Sequence, residues 1–291
     1  MVLTDVSRRV APAPPSAMPA AAPAPPGRRF ASRVSTVAVA FMAVESVLGL
    51  LVHDLYREDR WAVAALRGND LVTLVLVVPV LGLALVRSRT SAGWTLVWLA
   101  GLFYGVYNFA YYVFGTAFND VFLLHEATLV LSLSALVSLA VTVDPASLAG
   151  AVRAGGHRVV ASFMVVVGSA LVAAWGGFSL RFAIDGTLPK DVMPPNAVHL
   201  VYALDLALLA PAFLAGGILL WRGTAWGRVL AAVVNLFGAA YLVVLEFVGG
   251  FEADAGIAGK TWMSPPSILG AVACAAAAIA LLRGGHGEER S

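Results

Sequence analysis

Charged residues and cysteines are both scarce in this chain. Only 12% of its 291 residues are charged and 60% are apolar, whereas soluble domains usually carry about 25% charged residues. This composition excludes a large soluble domain. The one cysteine, Cys274, lies in an Ala-rich apolar run, which excludes an intramolecular disulfide and a thiolate metal site. The net charge of +2 gives no support for nucleic acid as a partner.

Long apolar runs fill the rest of the chain. A membrane-spanning helix needs about 20 consecutive apolar residues, so this length has room for roughly eight spans with short connectors. The runs are continuous, whereas the strands of a membrane barrel alternate over about ten residues. We therefore predict an all-α, polytopic transmembrane helix bundle in a lipid bilayer. The predicted spans are 32–56, 70–86, 93–116, 120–143, 158–180, 198–221, 228–249 and 265–282.

The two ends of the chain differ from its middle in composition. Residues 1–30 are rich in Pro and Ala and are predicted to form a disordered cytoplasmic tail. Residues 31–284 are the predicted transmembrane domain, and 285–291 form a short cytoplasmic tail. An arginine pair precedes the first apolar run, but that run is too long for an export signal and has no A-x-A cleavage site after it. We interpret it as an uncleaved span.

Lys and Arg are distributed unevenly between alternate connectors. Of the 19 in the chain, thirteen lie in the two tails and the connectors on their side, and six lie in the other connectors. Lys and Arg accumulate on the cytoplasmic side of membrane proteins. This bias predicts that both termini are cytoplasmic, which agrees with an even number of spans.

The two halves of the chain share a spacing of polar and small residues. The pairs that share one register are Asp70 and Asp205, Gly82 and Gly217, and Arg87 and Arg222. A duplication of four spans would give two parallel repeats, 31–144 and 158–284, a symmetry found in transporters. Chance similarity between apolar segments is the alternative, and the pattern alone leaves both open.

Polar side chains within the predicted spans lie mainly towards the outer face. A charge at the bilayer centre costs at least ~2.5 kcal/mol, so acids there usually face the bundle interior or a water-filled cavity. Glu45 lies near the middle of the first span, where it can carry a proton or bind a cation. Structural pairing between helices is the alternative for such acids. The candidate ligand-binding residues are Glu45, Asn108, Tyr111, His125, Glu126, His199, Asp205 and Glu246.

Two groups of polar residues have a simpler interpretation. His53, Asp54, Asp70 and His199 are predicted to lie in the headgroup region, where charge costs little. On the third span, Tyr104, Asn108, Tyr111, Tyr112 and Gly115 share one helical stripe. That stripe can line a vestibule, or it can be an aromatic belt with one interhelical hydrogen bond from Asn108. We assign Tyr112 to the belt.

No motif in the sequence specifies a metal, a nucleotide or a nucleophile. No H-x-x-x-H or E-x-x-H pair places two ligands on one helix face, and the adjacent His125 and Glu126 point about 100° apart. No metal site is therefore predicted. Phosphate-binding glycine loops and nucleophile elbows are also absent. The sequence does not identify catalytic residues or cofactors.

Two stretches resemble a family of uncharacterised bacterial multispanning membrane proteins, with no known activity. They are 67–74 (RGNDLVTL) and 107–115 (YNFAYYVFG), followed by Phe118-Asn119 and Phe122-Leu123. The resemblance covers mainly the first half of the chain. It implies a location in the bacterial plasma membrane and nothing about a substrate.

Three functions fit these observations. The leading hypothesis is binding and transport of a small solute or ion through an outward-facing polar cavity. The second is a membrane-embedded enzyme with a carboxylate and His125 or His199 as general base, with or without a metal. The third is a membrane scaffold or sensor subunit whose acids only join helices.

Overall fold

The computed structural model describes residues 25–153, 157–187 and 195–282, with side chains from residue 200 onwards in the last range. Within these residues, eight helices are long and apolar enough to cross a membrane and no strand occurs, which confirms the predicted all-α bundle. Most of both predicted tails lies outside the described residues. The helices are α1 (Pro26–Leu51), α2 (Arg60–Arg87), α3 (Ala92–Gly115), α4 (Phe122–Thr142), α5 (His157–Asp185), α6 (Leu200–Trp221), α7 (Ala225–Asp254) and α8 (Pro265–Leu282).

The largest boundary error concerns α2, which begins at Arg60 and not at Asp70. The missed segment carries Arg60, Arg67 and Asn69, so its hydropathy is too low to read as a span. It nevertheless forms helix because its small and apolar face packs on α7, and tertiary packing stabilises most helices in proteins. Asp70 therefore lies within a helix and is buried, and the prediction that it begins the span is wrong.

Helices α2 and α6 each contain one widened π-helical turn, at Thr73–Val77 and Asp205–Leu209. Each turn ends two residues before a proline, Pro79 in α2 and Pro211 in α6. A proline lacks the N–H for the usual helical hydrogen bond and its ring crowds the carbonyl four residues earlier, so the helix widens just before it. Such turns often occur at functional sites.

The bundle is centred on α3 and α7, which pack against each other. Helix α7 also contacts α2, α6 and α8, while α3 contacts α2, α4 and the helical segment that leads into α6. Helix α1 packs on α4 and α2, and α5 packs on α6. The four helices α2, α3, α6 and α7 therefore surround the interior of the bundle.

Glycine permits a close approach between α2 and α7. A Cβ atom on Gly68 would lie 2.8 Å from the Phe247 carbonyl oxygen and 2.9 Å from Val248 Cα. The two backbones are thus in contact at this point, as small residues allow in membrane bundles. Gly82 and Gly217, which share one register in the two halves of the sequence, differ in their surroundings. A Cβ on Gly82 would meet no atom within 4 Å, whereas one on Gly217 would lie 2.9 Å from the Ala161 carbonyl oxygen.

Candidate functional site

A cavity of about 220 Å³ lies between α2, α3, α6 and α7, and we call it the central cavity. Its walls are mostly aromatic and aliphatic, with two asparagines and one pair of opposite charges. This combination of an apolar wall and a few polar groups is typical of small-molecule sites. The polar and aromatic lining residues are Trp61, Asn69, Tyr107, Asn108, Tyr111, Tyr241, Glu252 and Lys260.

A second, open cavity of about 500 Å³ adjoins the first, and we call it the vestibule. The two cavities share the lining residues Trp61, Leu66 and Tyr111. The rest of the vestibule lining comes partly from the connectors after α1 and α3, including Glu58 and Ala117, and partly from the adjoining ends of α2, α3 and α6. The central cavity therefore lies next to an opening at this end of the bundle, which we call the vestibule end.

Two asparagines join α2 and α3 at the cavity wall. Asn69 Nδ2 donates to Asn108 Oδ1 across 2.7 Å, and the Tyr104 hydroxyl donates to Asn69 Oδ1 across 3.1 Å. Thr73 Oγ1 lies 2.6 Å from the same Tyr104 hydroxyl. The Asn108 amide nitrogen is buried and finds no hydrogen-bond partner among the described residues. An unpaired buried donor costs free energy, and this one belongs to a residue that lines the central cavity.

Asp205 is buried directly behind the aromatic wall of the cavity. Its Oδ1 accepts a hydrogen bond from the Tyr107 hydroxyl at 2.5 Å, and its Oδ2 accepts one from Trp175 Nε1 at 2.8 Å. The Tyr107 and Tyr241 hydroxyls lie 3.1 Å apart. Asp205 is also the first residue of the π-helical turn in α6. It therefore links α3, α5 and α6, and reaches the cavity through Tyr107.

Asp70 is held in a similar way on the other side of α3. Its Oδ2 accepts from the Tyr56 hydroxyl at 2.6 Å and its Oδ1 from the Tyr112 hydroxyl at 2.8 Å. Gly49 on α1 leaves room for the carboxyl group, since a Cβ there would lie 1.9 Å from Asp70 Oδ2. Tyr56 lies in the connector after α1. Its pKa is raised mainly by burial and secondly by the nearby Asp70 carboxyl. The Tyr56 hydroxyl therefore remains a donor at neutral pH.

Glu45, His125 and Thr128 form a third buried group, between α1 and α4. His125 Nδ1 is hydrogen-bonded to Glu45 Oε2, and Thr128 Oγ1 donates to Glu45 Oε1. The centres of the His125 and Tyr112 rings lie 4.9 Å apart, so this group adjoins the group around Asp70. His125 Nε2 is buried without a partner among the described residues. Neither Glu45 nor His125 lines the central cavity or the vestibule.

One ion pair lies in the lining of the central cavity. Lys260 Nζ, on the connector between α7 and α8, lies 2.8 Å from Glu252 Oε2 near the end of α7. The Glu252 side chain is only 1% exposed, whereas Lys260 is 40% exposed. A buried acid without its cation would be costly, so Lys260 compensates the charge of Glu252. The lining is therefore balanced in charge.

The structure brings together only part of the predicted site. Asn108 and Tyr111 line the central cavity and Asp205 lies one hydrogen bond behind it, whereas Glu45 and His125 pair elsewhere. Other candidates lie apart from the cavity because of the direction in which their side chains leave the helix. Glu126 is adjacent to His125 but points away from the bundle and is exposed, because successive helical residues point about 100° apart.

Three further residues lie apart from the cavity lining or outside the described side chains. Glu246 Oε1 accepts a hydrogen bond from the Ser264 backbone N–H at 3.0 Å, so it holds the beginning of α8 and does not line the cavity. Tyr112 is buried against Asp70, and its assignment to an aromatic belt is wrong. His199 lies in the helical segment Pro195–Leu204, but its side chain is outside the described part of the structure.

Several residues of the site were not predicted. Tyr107 follows Tyr104 by three residues and precedes Tyr111 by four, so its spacing placed it on the stripe that was recognised. Trp175 and Tyr241 belong to apolar runs on α5 and α7, where no local spacing distinguishes them from packing residues. Lys260 lies in a connector, and sequence distance does not show that this connector folds back to Glu252.

Comparison with known proteins found no match for this chain among protein-family models, curated proteins or solved structures. The resemblance carried by residues 67–74 and 107–115 therefore stays a prediction. Among the described residues, no group of three or more His, Cys, Asp or Glu side chains is placed to hold a metal ion. The eight apolar helices among the described residues identify the chain as a multispanning membrane protein.

Proposed function

We propose that the protein binds a small polar solute in the central cavity and carries it across the bilayer. The observation that carries this proposal is that Asn108 lines the cavity and that its buried amide nitrogen lacks a partner among the described residues. Buried polar groups are nearly always paired. A solute with a hydrogen-bond acceptor would supply the missing partner.

The lining of the cavity indicates the class of solute. The rings of Tyr107, Tyr111 and Tyr241 provide flat apolar surface, and the Asn108 amide provides a donor. The Tyr241 hydroxyl lies at hydrogen-bond distance from Tyr107 and can also accept a bond from the solute. Glu252 and Lys260 neutralise each other, so the lining favours a solute without net charge.

The two π-helical turns support movement as well as binding. Both helices that contain them, α2 and α6, line the cavity. Helices interrupted near the substrate are common in secondary transporters, where one repeat moves against the other. Pro79 and Pro211 remove one backbone hydrogen bond each, which makes these turns natural hinge positions. The predicted parallel repeat fits the same mechanism.

The proposed setting follows from the charge bias and the family resemblance. The vestibule end carries the connectors with fewer Lys and Arg residues, so we place it outside the cell and both termini in the cytoplasm. On the basis of the resemblance, we also propose a location in the bacterial plasma membrane. The enzyme alternative receives less support, because the Glu45 and His125 pair lines neither the central cavity nor the vestibule.

A ligand screen with two matched variants tests this proposal. Purified protein in lipid nanodiscs is melted with and without neutral amino acids, polyols and small amides at high concentration. A solute at 100 times its dissociation constant stabilises the folded state by about 2.7 kcal/mol. We expect Asn108→Leu to lose the shift and Asn235→Leu to retain it, because Asn235 is equally buried but is not among the residues that line the cavity. Equal shifts in both variants would contradict the proposal.

A further inference from the structure

A strongly basic cavity of about 440 Å³ lies at the end of the bundle opposite the vestibule. It is formed by the beginning of α1, the end of α2 and the first turns of α3. Four arginines line it, and no acidic residue does. The lining residues are Arg28, Arg29, Ser32, Arg33, Leu85, Ser88, Arg89 and Trp98. We call it the arginine pocket.

Arg28 forms the fixed floor of this pocket. Its Nη2 donates to the Ser88 carbonyl at 2.5 Å and to Thr95 Oγ1 at 3.2 Å. Its guanidinium carbon lies 5.9 Å from the centre of the Trp98 ring. These contacts join α1 to α2 and α3 and hold one positive charge in place before any ligand arrives. A site that is organised in advance loses less entropy on binding.

The other three arginines are exposed around this floor. The ion pairs within the described part of the chain involve Arg57, Arg181, Lys260 and His125, and none of them involves an arginine of the pocket. Four positive charges thus share one concave surface without an acidic partner there. Their mutual repulsion favours an anion between them, and guanidinium groups match phosphate oxygens well.

Helix α1 adds backbone donors to the same place. It begins at Pro26, and no side chain caps its first turn. The free N–H groups and the helix dipole at such an end favour a negative group. This feature supports the arginines and would not define a site without them.

The surroundings of the pocket indicate a lipid and not a free anion. Leu85 and Trp98 line the pocket with the arginines, and the apolar side chains of Phe30 and Val86 are 50% and 64% exposed on the same helix ends. Apolar surface beside a basic cavity fits a molecule with a phosphate head and acyl chains. Basic cavities between helices at the cytoplasmic side of membrane proteins bind anionic lipid headgroups.

We infer that the arginine pocket binds the phosphate headgroup of an anionic glycerophospholipid, whose acyl chains lie along the exposed faces of α1 and α2. The lipid would join α1 to the helices that line the central cavity. This inference does not depend on transport, because the arginine pocket and the central cavity share no lining residue.

Lipid titration of the purified full chain tests the inference. Phosphatidylglycerol and phosphatidylcholine with identical acyl chains are added to the delipidated protein in detergent, and bound lipid is counted by native mass spectrometry. We expect phosphatidylglycerol to bind at least tenfold more tightly. The triple variant Arg29→Gln, Arg33→Gln and Arg89→Gln should bind it about 100-fold more weakly, at roughly a factor of five per lost charge. Arg28 is kept because it holds the helices together.

A control variant and a competitor separate this site from general attraction. Arg153→Gln, Arg158→Gln and Arg222→Gln remove three exposed arginines at the same end of the bundle and should leave binding within twofold. The single variant Arg89→Gln, expected to weaken binding about fivefold, serves if the triple variant unfolds. Equal binding of both lipids, an equal loss in the control, or full displacement by millimolar inorganic phosphate would each overturn the inference.

Discussion

The carboxyl groups of Asp70 and Asp205 are held in the same way, each by two aromatic hydrogen-bond donors. Helix α3 supplies one donor to each, Tyr112 to Asp70 and Tyr107 to Asp205. The second donor is Tyr56 for Asp70 and Trp175 for Asp205. Helix α3 therefore connects the two halves of the bundle through two buried acids, one on each side of this helix.

The bond between Tyr107 and Asp205 should couple α3 to α6 in stability. Tyr107→Phe removes one donor from a buried carboxyl group, which should cost about 1–3 kcal/mol of unfolding free energy. A double-mutant cycle with Asp205→Asn should give a coupling energy on the order of 1 kcal/mol. Unfolding in nanodiscs or mixed micelles, followed by circular dichroism, measures each term.

Tyr111→Phe is the matched control for this cycle. Tyr111 lies on the same helix and lines the same cavity, but no hydroxyl contact with Asp205 occurs there. Its unfolding free energy should change by less than about 0.5 kcal/mol, and its cycle with Asp205→Asn should show no coupling. Coupling of the same size in both cycles would mean that Asp205 is not held by Tyr107 in particular.

The buried acid of α1 should matter far more for stability than its sequence neighbour on α4. Glu45→Leu leaves His125 Nδ1 and Thr128 Oγ1 without their common partner, which should cost about 1–3 kcal/mol. Glu126→Leu changes an exposed side chain and should cost under about 0.5 kcal/mol. Melting temperatures of the two variants in one detergent compare them, and equal losses would refute the assignment of Glu45 as the paired acid.

The contact between α2 and α7 should tolerate no side chain at Gly68. Gly68→Ala places a Cβ within 2.9 Å of backbone atoms of α7, so the helices must separate and lose packing. We expect lower thermal stability and a smaller folded fraction on size-exclusion chromatography. Gly82→Ala on the same helix meets open space and should be neutral or stabilising by up to about 1 kcal/mol.

The number of spanning helices could be predicted from the sequence, whereas the direction of each side chain around its helix could not. Composition predicted eight spans, and the position of Glu45 and Asp205 within apolar runs predicted that they face the bundle interior, where they are buried. The helical stretch 60–69 was missed because its arginines lower its mean hydropathy. It is nevertheless helical, because the face opposite these arginines packs on α7. Glu126 and Glu246 were chosen on depth alone, although one faces outwards and the other binds a backbone N–H. Tyr241 could not be identified without the contact between α3 and α7, because no local sequence pattern shows that contact.

The orientation of the bundle can be tested with single cysteines. Cys274→Ala gives a background without thiols, because the chain has one cysteine. Met263→Cys lies in the connector between α7 and α8, and Thr90→Cys lies in the connector between α2 and α3, and both positions are exposed. In intact cells, an impermeant maleimide should label Met263→Cys at once and Thr90→Cys only after permeabilisation. The reverse order would place the vestibule in the cytoplasm.

The accessibility of Asn108 from the vestibule end tests the central claim most directly. In the Cys274→Ala background, Asn108→Cys and Asn235→Cys are exposed to a small methanethiosulfonate reagent, and the rate of modification of each thiol is measured. We expect the thiol at position 108 to react at least tenfold faster than the one at position 235, and a bound solute to slow only the reaction at position 108. Equal, slow rates at both positions would contradict an aqueous path from the vestibule to the central cavity.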